Sequence, residues 1–311
     1  MRVSTPALFN SSLSRILNQQ AEVAKAQEQV SSGVKFKTAG QDPSGMAQVM
    51  ALQQAQAEHM QLGNNVTTLR QRLSGEENAL ASAGDVLPRV RELAVQANTA
   101  TVSPENRKQI AAELTQLKTQ LIDIANTSDG VGHYVFGGTN DGSKPFADAT
   151  TGISYSGTQT VREIAVGEGR SMSEGDSGDA TFLRVANSTG GNTDLFTRVQ
   201  NVIDATLADT STSAARTANQ AQFASALADI DGGIEHLSTV RASVGSRLAT
   251  LDDVDSRLEG LDTQLQTTLS DVRDLDYAES ISRLQLHSLS LQAAQSAFAK
   301  VQGLSLFNYL R

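Results

Sequence analysis

Four histidines, His59, His133, His236 and His287, are the obvious candidates for metal or acid–base chemistry in this chain. No two stand at i and i+4, and none falls in a ligand cluster, so each reads as a helix-surface or turn residue. The stretch "GVGHYVFGG" (130–138) has glycines like a phosphate loop, but neither the lysine of that motif nor dinucleotide spacing. Its glycines read as setting a helix-to-sheet turn, with Tyr134, Val135 and Phe136 entering a core. The acidic "EGDSGD" (174–179) lacks the ligand spacing of a calcium loop and reads as solvated. The cluster Asp271, Arg273, Asp274, Asp276 and Tyr277 would need a cleft and a perturbing environment to act as acid and base. It reads instead as the solvated face of a joint between two helices. No catalytic, cofactor-binding or metal site is expected, and the chain does not read as an enzyme.

Composition narrows the partners. The 311 residues carry a formal net charge of -9, which argues against a phosphate-binding surface and so against nucleic acid. No apolar run approaches the ~18 residues of a membrane span, and "MRVSTPALFNSSLSRIL" lacks the basic-then-apolar order of a cleaved signal peptide. Cysteine and tryptophan are absent and aromatics make up 4%. An interior must therefore come mainly from Leu, Ile, Val and Ala, which suits helical packing better than one thick core.

What must position any functional side chain is a set of long helices. Leu62, Val66, Leu69, Leu73, Glu76, Leu80, Ala83, Leu87, Val90 and Ala94 alternate in steps of three and four, a coiled-coil-like seam that only Glu76 interrupts. Pro88 lies inside that seam and predicts a kink. Ser103 and Pro104 start a second helix whose seam runs Ile110, Leu114, Leu117, Leu121, Ile124, before "TSDGVG" ends it. A third seam runs from Phe223 to Leu275, with a phase shift at Val254 and a weak point at Gly260. Asp194 caps a further helix, "DLFTRVQNVIDATLA".

Between the helical halves the texture changes. Residues 137–193 are rich in Gly, Ser, Thr and Asp, with β-prone runs at 153–157 and 161–166. They predict a small β-rich insert reached by two crossings, near Gly137 and Thr193, that a short linker could replace. The fold class that follows is mainly α: an elongated helical bundle with coiled-coil-like seams formed by the N- and C-terminal halves, plus a small β-rich inserted domain.

Both chain ends are apolar on one side. Leu13, Ile16, Leu17 and Val23 share a helix face near the start. Ile281, Leu284, Leu291, Phe298 and Val301 share one near the end, and Leu304, Leu306, Phe307 and Leu310 continue it. Leu286, Leu289, Ala293 and Ala297 widen the second stripe beyond what one partner helix can cover. These residues are the candidate assembly and partner-binding set, and the ends are expected to order by assembling.

Several segments carry a family resemblance. "VSSGVKFKTAGQDPSGMAQVMAL" (30–52), "RVRELAVQANT" (89–99), "IAAELTQLKTQLIDIANT" (110–127) and "DVRDLDYAESIS" (271–282) resemble bacterial flagellins in order and spacing. The start, "GHYVFGGT" (132–139), and the ending "LSLFNYLR" (304–311) are more similar to the members that join hook to filament than to those that build the filament. The resemblance implies terminal helices (1–39 and 276–311) in an inner assembly layer, a bundle core (40–136 and 194–275) around them, and an outward-facing insert (137–193). It implies neighbouring copies, another hook-associated protein and flagellin as partners, with an export chaperone on the C-terminal helix. It also implies an extracellular, flagellar location reached by type III export without a cleaved signal. Two other readings stay open at this point, a filament flagellin and a cytoplasmic coiled-coil scaffold.

Overall fold

The computed structural model describes residues 5–99, 102–149, 152–188 and 190–309; the side chains of residues 5, 6, 8 and 301–309 are outside that description. Among the described residues six α-helices carry the fold: α1 (Thr5–Ser32), α2 (Pro43–Ala97), α3 (Pro104–Ala125), α4 (Leu195–Leu207), α5 (Ser213–Arg273) and α6 (Tyr277–Tyr309). Their starts follow ordinary capping chemistry. Ser103 accepts from the Asn106 backbone N–H and Asp194 from that of Thr197, each satisfying a donor that the first turn leaves free. The seam predicted from Leu62 belongs to a longer helix beginning at Pro43, and α2 continues through Pro88 to Ala97. Gly260 likewise interrupts nothing in the 61-residue α5.

The chain divides into two compact units, Met1–His59 with Gly260–Arg311, and Met60–Glu259. The bundle expected over 40–136 and 194–275 is therefore shared: residues 40–59 and 260–275 group with the terminal helices.

The Met60–Glu259 unit is a packed helical core with the insert built into it. Leu69, Leu73, Leu80 and Leu87 of α2 are buried with Leu114 and Leu121 of α3, Val199 and Val202 of α4, and Phe223, Ile230 and Val244 of α5. Residues 146–193 add three antiparallel hairpins: β1 (Phe146–Ala149) with β2 (Gly152–Tyr155), β3 (Glu163–Gly167) with β4 (Arg170–Ser173), and β5 (Val185–Ala186) with β6 (Asn192–Thr193). One π-helical turn, Asp179–Leu183, precedes β5. The β-prone runs foretell only β2 and β3.

The hairpins are not a separable module. Phe146 lies 5.6 Å from Phe182 and 5.5 Å from Phe196 of α4, and Phe136 meets Phe182 edge-on at 4.9 Å. The Asn126 side chain, at the end of α3, donates to the Phe146 carbonyl and accepts from its N–H, at 3.0 and 2.9 Å. Buried Arg198 on α4 donates to the carbonyls of Val185 and Ala186 at 2.6 Å each and to that of Asp229 on α5. The insert and the helices share one hydrophobic core, which argues against the expectation that a short linker could replace the insert.

The acidic loop is corrected too. Glu174 pairs with Arg72 and Arg162 at 2.9 Å each, Asp176 with Arg247, and Asp179 with Arg184, so these carboxylates are held by guanidinium groups rather than by solvent.

Candidate assembly interface

In the unit that holds both chain ends, α1 and α6 run antiparallel. Ser12, Ile16, Gln19, Val23 and Ala26 on α1 are buried or half-buried, in steps of four and three. On α6 the same spacing shields Ser280, Leu284, His287, Leu291, Ala294 and Phe298. Two helices meeting along such rows form a coiled-coil seam. Phe9 and Phe298 close one end of it, ring centroids 5.3 Å apart. Midway, Gln19 Nε2 lies 3.0 Å from His287 Nδ1 and donates to the His287 carbonyl at 3.3 Å. A polar layer in an apolar seam is matched only in one register, so this contact fixes the alignment of the two helices. His287 thus sits in the seam rather than on the surface or a turn.

The other end of the pair is closed by the joint that the charged cluster 271–277 forms. Lys35 N–H donates to the Arg273 carbonyl at 2.8 Å and Leu275 N–H to that of Gly33 at 2.9 Å, a short antiparallel bridge. Asp276 caps α6 through the Glu279 N–H. Gly33 ends α1 with φ +73, and a Cβ there would fall 2.7 Å from the Tyr277 hydroxyl. We expect Gly33→Ala to destabilise this unit by roughly 1–2 kcal/mol from the left-handed backbone alone, with the Tyr277 clash in addition. Equal melting of wild type and variant would show that the joint carries no strain and that the tyrosine yields freely.

The seam covers only part of each helix. Leu13, Leu17 and Ile281 remain 39%, 56% and 43% exposed, and Leu286 and Leu289 stay 67% and 64% exposed. The candidate set accordingly splits. Ile16, Val23, Leu284, Leu291 and Phe298 face the intramolecular seam, whereas Leu13, Leu17 and Ile281 face away from full cover. The side chains of Val301, Leu304, Leu306 and Phe307, and Leu310 entirely, lie outside the described residues. Phe9 lies outside the candidate set, although extending the seam from Ile16 back through Ser12 in steps of four and three reaches it.

This arrangement leaves aliphatic side chains, Leu13 and Leu17 on α1 and Ile281, Leu286 and Leu289 on α6, uncovered. It is suited to packing against other surfaces. Comparison with known proteins identifies the setting. The family model for the bacterial flagellin N-terminal helical region matches residues 3–141, and that for the C-terminal helical region matches residues 227–310. The chain belongs to the flagellin family. Flagellar hook-associated protein 3 of Escherichia coli (strain K12) is 31% identical over 99% of both chains. A flagellin of Bacillus subtilis (strain 168) is 26% identical over 96% of both. The crystal structure of Xanthomonas campestris FlgL, 27% identical, superposes with a TM-score of 0.64 over 70% of this chain and 99% of its own. Within the flagellin family the likeness is therefore to hook-associated protein 3, whose whole length the chain spans. Among the described residues no helix is long and apolar enough to cross a membrane.

Proposed function

We propose that this protein is a structural subunit of the bacterial flagellum that joins hook to filament. The observation that carries the reading is the end-to-end match to hook-associated protein 3, at 31% identity in two bacteria, against 26% for the flagellin. In this reading α1 and α6 form an inner layer of the assembly and the insert faces outward from it. Neighbouring copies cover Leu13, Leu17, Ile281, Leu286 and Leu289, while another hook-associated protein and flagellin bind on either side. Before export through the flagellar type III channel, a chaperone holds the C-terminal helix, with Leu291 and Phe298 as anchors in its groove. Both anchors face the α1 seam, so the chaperone must open the α1–α6 pair to reach them.

Labelled antibody on sheared flagella tests the reading. Signal confined to the hook–filament boundary is expected, and decoration along the filament would make the protein a filament flagellin instead. Purified protein should stay monomeric or add a single layer to hook ends, and growth of long filaments would overturn the junction role.

A further inference from the structure

Glu76 is the one residue that breaks the α2 seam, and it is completely buried. A carboxyl group at such a site must find hydrogen bonds or give up its charge. Its Oε1 accepts from the Asp176 backbone N–H at 3.1 Å. Its Oε2 has no hydrogen-bond partner among the described residues and lies where a Cβ on Gly175 would come within 3.1 Å. The turn that reaches down to it belongs to the insert. It follows β4 directly and leads into the π-helical turn. Arg247 of α5 holds the same turn from the other side: it donates to the Gly175 carbonyl at 3.2 Å and pairs with the Asp176 carboxylate. The Arg247 Nε is buried and has no partner among the described residues.

We propose that Glu76 is a proton-operated latch: its neutral carboxyl anchors the 174–176 turn to α2, and its ionisation releases that turn and the hairpins attached to it. The charges around it give the latch its direction. Asp176 faces Glu76 from the turn and Arg247 from α5, while Glu174 one step away is occupied by Arg72 and Arg162. Loss of the Glu76 proton to solvent sets a second carboxylate, itself buried, against the partly exposed Asp176. It also offers Arg247 a competing partner, drawing it off the Gly175 carbonyl and Asp176. Burial, and next the Asp176 charge, push the Glu76 carboxyl from its ordinary 4.5 up to about 9. The folded state therefore holds a proton that the unfolded chain releases. The stability this group contributes is full below about 4.5 and is lost as pH rises through about 9.

The chain contains no cysteine, so paired labels can be placed cleanly in the full-length protein. Ser82→Cys on α2 and Glu168→Cys at the β3–β4 turn, carrying spin labels, report the distance from helix to insert. Between pH 6 and 8 a single narrow distribution is expected, broadening above pH about 9 while helical circular dichroism is retained. Glu76→Gln, which keeps the acceptor and cannot ionise, should stay narrow to pH 10. Glu76→Leu, which completes the apolar seam, should keep the helices but show the broad distribution at every pH. Broadening at the same pH in Glu76→Gln would assign the transition to another group. A distribution in the labelled chain retaining Glu76 that is constant to pH 10, or a narrow one in Glu76→Leu, would show that Glu76 does not hold the insert.

Discussion

Deletion of residues 140–192 is expected to abolish the cooperative melting of the Met60–Glu259 unit and much of its helical signal. The deletion removes Phe146, Phe182 and Tyr155, and with them the ring contacts of Phe136 and Phe196. Truncating a single buried Phe to Ala costs about 3–5 kcal/mol. A domain of this size holds only about 5–15 kcal/mol in total. The polar losses add to this. Arg198 forfeits the Val185 and Ala186 carbonyls, Asn126 forfeits both bonds to Phe146, and Glu76 forfeits the Asp176 N–H. Each leaves a buried group unpaired, at about 1–3 kcal/mol apiece. Phe146→Ala is the smaller version of the same experiment and should lower stability by about 3–5 kcal/mol. Thermal melts followed by far-ultraviolet circular dichroism decide the point. A deleted chain that still melts cooperatively with its helical content intact would show that the helices alone form the folding unit.

The contrast between what the sequence discloses and what it conceals has a physical basis. A helix seam repeats the same short-range spacing many times, so Val66 to Ala94 and Phe223 to Leu251 announce their buried face. Caps are equally local, and Ser103 and Asp194 do what their types suggest. The width of the α6 stripe also foretells that one partner helix leaves Leu286 and Leu289 uncovered. The insert is different. Its strands are two to five residues long, too short for any period to register. Its core comes from single aromatics, Phe136, Phe146, Phe182 and Phe196, whose meeting depends on chain crossings rather than spacing. Glu76 reads as a flaw in a seam because its partner, Asp176, is a hundred residues away. The split of the assembly candidates between inward and outward positions was hidden for a related reason. Periodicity marks Ile16 and Leu17 as apolar neighbours but does not say which of them another helix of the same chain will cover.

That split decides which substitution tests the assembly surface. Phe298 packs against Phe9 within the chain, so an aspartate there would open the α1–α6 pair itself, and lost assembly would have two explanations. Leu286 and Leu289 avoid the ambiguity, because both are largely exposed on α6. Replacing the two together by Asp should leave the melt of the isolated chain nearly unchanged, since exposed substitutions shift stability by about 0.5 kcal/mol or less. In an assembly the balance reverses. Each leucine covered by a neighbour contributes roughly 1.5–3 kcal/mol, and a carboxylate in its place must be buried without a partner or the contact abandoned. Every copy carries both changes, so the defect recurs at each subunit boundary. We expect a strain relying on the doubly substituted protein to be non-motile and to shed unattached filament subunits, with the purified variant folded and monomeric. Normal motility with intact junctions would show that this face of α6 is not an assembly surface. Loss of motility together with a lowered melt would place the damage inside the chain rather than between copies.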